Sequence, residues 1–339
     1  MNALTNYIRT LWRDWNTFWF APTDPATLCV IRVLAGSMLL YTHAVWSFGL
    51  SDFLHPTEGW TGDLLPATHD GRFSGEFRRY GVSVFDYLTA DWLRWTFHAF
   101  AIGVFACLML GLFTRTVAVL AFIAAVSYAT RVTPGGFFGL DKINCLLAAY
   151  LMVGPAGARY SIDRLRRARR AKKAVEALAE PPPSIGANLA VRLIQVHLCI
   201  VYLFGGLGKV QGDRWWDGGA VWFAVASYEY RSIDMTWLSR VVDLGFVQLD
   251  LLYLGEFLTH ATVALEVFYC CLVWNRRLRP WVVLAAIGMH LFIGLAMGMM
   301  TFGLVMIYAN LAFVSPVVMR RLFDPPASRA RRMLGGAAA

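Results

Sequence analysis

Apolar residues gather in long runs near 27–48, 93–113, 116–132, 137–156, 189–208, 252–274, 280–299 and 301–319, and the charges fall between them. A bilayer core about 30 Å thick takes roughly 20 helical residues at about 1.5 Å each, so these runs have the length of membrane-spanning helices. The pattern predicts an all-α integral membrane protein with about eight transmembrane helices. The third run is short, and the last two nearly touch through Met299, Met300 and Thr301. The expected organisation is an N-terminal interfacial segment at 1–26, a transmembrane domain at 27–319 and a basic tail at 320–339.

Composition agrees. Of 339 residues 58% are hydrophobic and only 16% charged, where a soluble domain carries about a quarter charged. With 13 Trp, 23 Phe and 13 Tyr, the chain has more apolar surface than a water-facing protein could hide. Disordered, collagen-like and disulfide-scaffold classes are excluded. The six cysteines fall inside apolar runs and lack metal-ligand spacing, so they read as small hydrophobes, and no metal site is expected. Residues 1–20 carry Arg9, Arg13, Asp14 and three tryptophans without a continuous apolar core. They predict an amphipathic segment lying in the interface, not a signal peptide.

Charge orients the helices. With the N-terminus inside and eight alternating spans, the inner segments hold most of the 31 Lys and Arg: Arg9, Arg13, Arg115, the cluster from Arg159 to Lys173, Arg276, Arg277, Arg279 and the five tail arginines. The outer loops 49–92 and 209–251 hold most of the acids, among them Asp52, Glu58, Asp63, Asp86, Asp213, Asp217, Glu229 and Asp250. The positive-inside rule then places both termini in the cytoplasm, as in a bacterial inner-membrane protein. The inner loop 157–188 contains the run RLRRARRAKK at 164–173, which elsewhere could mark nucleic-acid contacts. Here Ile162, Leu165, Ala168, Val175 and Leu178 recur beneath it at helical spacing, which predicts a helix on anionic lipid headgroups and no nucleic-acid partner. Pro181, Pro182 and Pro183 stop that helix.

Ionisable groups inside a bilayer are costly, so each is a candidate for function. They are Arg32, His43, His98, Asp141, Lys142, His197, Glu256, His260, Glu266 and His290, with Lys209 closing the fifth run. Arg32 could snorkel inward or pair with a carboxylate; the histidines could bond between helices; Glu266 needs a partner or a proton. Glu256 and His260, four apart, share a helix face as a capping pair or part of a proton path. Gly294 and Gly298 form a small-xxx-small pattern suited to helix packing.

The richest stretch is 195–231. Gly205, Gly206 and Gly208 strip side-chain bulk from the last turn before Lys209, so that another backbone can approach or the helix can break. Asp213, Trp215, Trp216, Asp217, Gly218 and Gly219 follow, then an apolar run at 220–227 too short to span. That order suits a re-entrant or interfacial segment on the extracytoplasmic side. A lysine in such a pocket loses hydration and can act as a base. The plainer alternative also stands: Lys209 snorkels to headgroups among interfacial tryptophans.

Tyr202-Leu-Phe-Gly-Gly-Leu-Gly-Lys209 followed by Trp215-Trp216-Asp217-Gly218 resembles the signature of the HTTM (horizontally transferred transmembrane) proteins, related to the vitamin K-dependent gamma-carboxylase. Arg32 with Gly36, Phe53-Leu54-His55-Pro56 with Gly59-Trp60, Leu140-Asp141-Lys142 leading to Ala158-Arg159-Tyr160-Ser161-Ile162-Asp163, and Glu266 with His290, Phe302 and Met306 are similar to further parts of that family. The resemblance covers about 25–318 and implies an all-helical fold with an extracytoplasmic functional face. It also implies a reduced quinone as cofactor, with Lys209 matching the base that deprotonates it. Tyr202, Gly205, Gly206, Trp215, Trp216 and Asp217 would then form the pocket, with Asp141, Lys142, Glu256, His260 and His290 as partners. Two departures accompany it. Asp141 stands where the carboxylase has its catalytic histidine, and the carboxylase's large C-terminal region has no counterpart here, so carboxylation of a docked protein is not expected.

Three functions compete. One is a quinol-linked or base-catalysed membrane enzyme using Lys209. The second is a non-catalytic lipid- or quinone-binding subunit or maturation partner, for which only positive charge at 209 is needed. The third, a transporter, lacks the paired broken helices such folds use.

Overall fold

The structure, a computed structural model, describes residues 3–54, 83–132, 139–174, 179–228, 232–239, 241–243, 248–250 and 252–324. The expected motif residues His55, Pro56, Gly59 and Trp60, the acids Glu58, Asp63 and Glu229, the helical positions Val175 and Leu178, and the tail beyond Asp324 lie outside the described residues. Each predicted apolar run holds a helix. Two compact units are present: Met1–Ile194 with Val314–Ala339, and Gln195–Phe313.

The first unit opens with α1, Ala3–Phe20, which turns Leu4, Ile8, Leu11, Trp12 and Trp15 outward. Its last carbonyls are not wasted: Asn188 Nδ2 donates to the Phe18 and Trp19 oxygens at 2.8 and 2.9 Å. The strand-like bridge between Thr23 and Ser184 fastens the next segment. There follow α2 (Ala26–Trp46), the short α3 (Leu50–Leu54), α4 (Asp91–Leu110), α5 (Thr114–Val132) and α6 (Gly139–Val153). Their core is Leu28, Ile31, Leu39, Phe105, Leu108, Leu147 and Leu151, all nearly or fully buried. Gly36 lets α2 lie against α4, since a Cβ there would stand 2.6 Å from the Met109 nitrogen.

Arg32 forms no ion pair with a carboxylate among the described residues. It is fully buried, and its Nη1 donates to the Leu108 and Met109 carbonyls at 2.7 and 3.0 Å, its Nη2 to the Tyr160 carbonyl at 2.5 Å. The last carbonyls of a helix have no partner within it, and this guanidinium supplies one for α4. His98 bonds as expected between helices, Nδ1 to Tyr128 Oη at 2.6 Å and Nε2 to Ser47 Oγ at 2.8 Å. His43 instead meets the carbonyl of its own helix at Leu39.

The basic run becomes α7, Ile162–Lys173, capped by the Ser161 hydroxyl on the Arg164 N–H, with no buried residue. Then α8 runs from Ile185 to Val210 without the break considered before Lys209.

The second unit contains the rest of α8, then α9 (Asp213–Trp216), α10 (Ala220–Ala226), a small antiparallel pair β1 (Val241–Asp243) and β2 (Gln248–Asp250), α11 (Leu252–Leu272), α12 (Arg279–Ala296) and α13 (Met300–Asn310). The apolar run at 220–227 holds α10, whose Val225 packs with Ala296, Trp222 and Phe292. Gly294 and Gly303 bring α12 and α13 together, a Cβ on Gly303 falling 2.5 Å from the His290 carbonyl oxygen. Gly298 does something else. Its φ of +72° makes the turn between the two helices, a conformation open chiefly to glycine.

The last apolar run departs from expectation. The span foreseen at 301–319 ends in a 3-10 turn at Leu311–Phe313, and a new helix, α14 (Pro316–Phe323), starts behind the Ser315 cap. Serine at the cap with proline at the first helical position is a start signal, which ends the preceding helix. Among the described residues four helices, Ala26–Leu54, Asp91–Leu110, Ile185–Val210 and Arg279–Ala296, are long and apolar enough to cross a membrane, and a fifth if the interrupted pair at 300–323 counts as one. The chain is therefore an integral membrane protein by its helices.

Candidate functional site

The second unit brings Lys209 and Glu266 together. Lys209 Nζ stands 2.6 Å from Glu266 Oε2, with a quarter of the lysine side chain and a tenth of the glutamate side chain accessible. Glu266 thus has the partner it was expected to need. The glycines explain the meeting. A Cβ on Gly206 would lie 2.8 Å from Val267 Cγ2 and 2.9 Å from the Val267 nitrogen, so the α11 backbone runs directly over α8. At Gly205 the nearest atom would be Glu266 Oε2 at 3.4 Å, so the carboxylate rests in ordinary contact beside this glycine. Trp215 closes the other side, its ring centroid 5.3 Å from Lys209 Nζ, within the range of a cation–π contact.

The segment after Lys209 forms α9, α10 and the turn between them. Gly218 takes a φ of +78° beside Glu256, and a Cβ there would stand 2.9 Å from Glu256 Cγ. Thr259, fully buried, pins this turn: its hydroxyl donates toward the Gly218 carbonyl at 2.7 Å and accepts the Val221 N–H at 3.1 Å. Sequence reasoning missed Thr259, because an uncharged threonine in a span carries no warning. Trp216 is mostly exposed and donates its indole N–H to the Val210 carbonyl, while Asp217 accepts the Gly219 N–H and pairs with Arg214. His260 is exposed, Nδ1 against the Glu256 carbonyl and Nε2 3.4 Å from the Trp216 carbonyl.

Deeper in the same unit lies a chain of buried polar groups. Tyr269 Oη donates to Asn310 Oδ1 at 2.5 Å, Asn310 Nδ2 donates to Tyr202 Oη at 2.9 Å, and Tyr202 Oη lies 2.8 Å from His290 Nε2. The two tyrosine rings stack with centroids 4.0 Å apart. Tyr202 Oη accepts from Asn310 and shares a hydrogen bond with His290 Nε2, whose direction is set by the imidazole tautomer. The ring's Nδ1 is buried and has no hydrogen-bond partner among the described residues. Asn310 escaped the sequence search, which looked only for ionisable groups.

Tyr202, Gly205, Gly206, Lys209, Trp215, Trp216, Asp217, Glu256, His260 and His290 therefore all belong to the second unit. Asp141 and Lys142 belong to the first, on the opening turn of α6, Asp141 half-buried and Lys142 exposed.

Comparison with curated proteins and with solved structures finds no match. The profile of the HTTM domain matches residues 20–317, nearly the whole of the helical region just described, and the chain belongs to the HTTM domain family.

Proposed function

We propose that the Gln195–Phe313 unit receives the polar head of a reduced quinone and that Lys209 takes a proton from it. The observation that carries this reading is the Lys209–Glu266 pair; His290, buried in the same unit, keeps an Nδ1 with no hydrogen-bond partner among the described residues. A reduced quinone, when bound, supplies an acidic hydroxyl and two electrons. Its second oxygen is the kind of partner that His290 Nδ1 lacks, and Trp215 offers a flat wall beside Lys209. In its neutral form the Lys209 amine accepts the hydroxyl proton, and Glu266 offsets the ammonium that results. Orientation of a base by a buried acid follows the general logic of acid–base sites. The proposal stops at proton removal, since Asp141 replaces the carboxylase histidine.

The same proposal includes eight spans with both termini cytoplasmic in a bacterial inner membrane, the 1–26 segment in the interface and the site on the extracytoplasmic side. The charge distribution supports it. Cysteine-accessibility labelling checks the orientation: Cys substitutions at Arg277 and Asp217 should label from opposite faces.

To test the chemistry, the full-length protein is purified in mild detergent, its extracted lipids are identified by mass spectrometry, and oxygen-dependent loss of added reduced menaquinone is followed. Wild type should retain a quinone and consume the quinol. Lys209→Ala should lose about 100-fold or more in rate, the usual contribution of a positioned base. Full consumption by both Lys209→Ala and Lys209→Arg would remove Lys209 as base. Retained quinone with no turnover in wild type would favour the binding-subunit reading, in which the ion pair only fixes a charge at the interface.

A further inference from the structure

A cavity of about 540 Å³ opens in the first unit where α5 begins, α6 ends and α7 passes over both. Its walls carry Arg115, Arg166, Arg167 and Arg170. Against these four guanidiniums stands one lining carboxylate, Asp163, and its oxygens are already occupied by the N–H groups of Phe113 and Thr114 and by the Thr114 hydroxyl at 2.8 to 3.0 Å. Arg167 is spoken for as well, donating to the Gly157 and Asp163 carbonyls. Arg166 lies over the Phe113 ring. Arg115 and Arg170 have no ion pair among the described residues. The floor is the small-residue turn 154–158 with Leu151. Gly157 holds that turn down, since a Cβ there would fall 2.3 Å from Thr114 Oγ1.

We infer that this cavity is a specific site for the headgroup of an anionic phospholipid. The charge asks for a phosphate, and the surroundings ask for a phosphate with acyl chains attached. Arg115 sits at the first turn of α5, and Val119 and Ile123 follow at helical spacing on the same face, each more than two-fifths exposed. Phe113 beside the cavity mouth is 63% exposed. A lipid with its phosphate among the arginines would lay its chains along this stripe. Basic pockets at the inner ends of membrane helices bind headgroups in this manner. The site is distinct from the Lys209 unit and depends only on the helices standing in a membrane.

The test uses the full-length protein washed in mild detergent, then offered vesicles of phosphatidylglycerol or of phosphatidylcholine, with bound lipid counted by native mass spectrometry. One phosphatidylglycerol should remain per chain, and phosphatidylcholine should not. Each basic residue near an anionic headgroup is worth about fivefold in affinity, so Arg115→Gln with Arg170→Gln should weaken retention roughly twentyfold or more. Arg169→Gln with Lys172→Gln removes the same charge from α7 outside the cavity wall and should leave retention unchanged. Both pairs are surface changes, and equal melting temperatures would show that folding is intact. Equal losses in the two double variants would replace the site with diffuse surface attraction. Displacement of the lipid by millimolar inorganic phosphate alone, or equal retention of phosphatidylcholine, would also overturn the inference.

Discussion

Gly206 lies against Val267 so closely that a single added carbon would stand 2.8 Å from Val267 Cγ2. This approach of α8 to α11 is what carries Glu266, the neighbouring residue, up to Lys209. The three glycines of the block consequently differ in what they tolerate.

Gly206→Ala should force α11 away from α8, separate the ion pair and cost on the order of 1–3 kcal/mol, as overpacking does. Gly205→Ala meets only ordinary van der Waals distances and should be mild. Gly208 has open space around it, so Gly208→Ala should stabilise the helix by roughly 0.5–1 kcal/mol. Thermal unfolding of the three variants in one detergent ranks them; a Gly206→Ala protein as stable as wild type would contradict the packing described.

The Lys209–Glu266 pair predicts non-additive losses. Lys209→Met or Glu266→Leu alone strands the opposite charge in a partly buried site. Each should cost about 2 kcal/mol, below the 3–5 kcal/mol of a fully buried pair because Lys209 keeps some solvent contact. The double variant should regain most of that stability while remaining inactive toward quinol. Additive losses in the double variant would mean that the two side chains do not act as a pair.

Arg32 serves three carbonyls, and Arg32→Met should leave those of Met109 and Tyr160 without a donor and that of Leu108 with the Gly111 N–H alone, lowering stability by roughly 3–5 kcal/mol. Lysine cannot fork toward Leu108, Met109 and Tyr160 together, so Arg32→Lys should recover less than half of the loss. Gly111→Ala attacks the same place from the other side, since its Cβ would stand 2.3 Å from Arg32 Nη1 at a φ of +68°. Melting curves for the three variants should fall in one direction.

Asp163 sets an acid limit. Partial burial works to raise its carboxyl, but the Thr114 N–H and hydroxyl, the Phe113 N–H and the Arg167 charge outweigh that and hold it below the usual aspartate range. A carboxyl depressed in the folded state adds stability above its ordinary value, and that stability is lost as pH falls toward the folded one. The difference in melting temperature between wild type and Asp163→Asn should therefore be full at pH 7 and shrink below about pH 4. A constant difference across that range would remove Asp163 from the account.

The helical frame was legible because a span must be largely apolar over some twenty residues, and the runs at 27–48, 93–113 and 189–208 meet this with only a few ionisable residues each. The break at Ser315 and Pro316 was also written in the sequence, as a cap followed by a helix-starting proline, but the apolar run around it hid the signal. Glu266 announced its need for a partner, and the glycines before Lys209 announced a close approach; that the two facts were one contact required coordinates. Arg32 is a different case. Its partners are backbone carbonyls, which every residue carries, so no search for a complementary side chain could have found them. Asn310 and Thr259 stayed invisible for a related reason: uncharged polar groups in spans are common, and only their partners show which of them organise a site.

Arg32 also imposes an order on the birth of the molecule. Its carbonyl partners lie 76 and 77 residues further along at Leu108 and Met109, and 128 further along at Tyr160. At about 5–20 residues per second, the first helix waits roughly 6 to 25 s before its last partner is synthesised. Until Leu108 and Met109 are made the guanidinium has none of these carbonyls, and from then until Tyr160 it has two of the three.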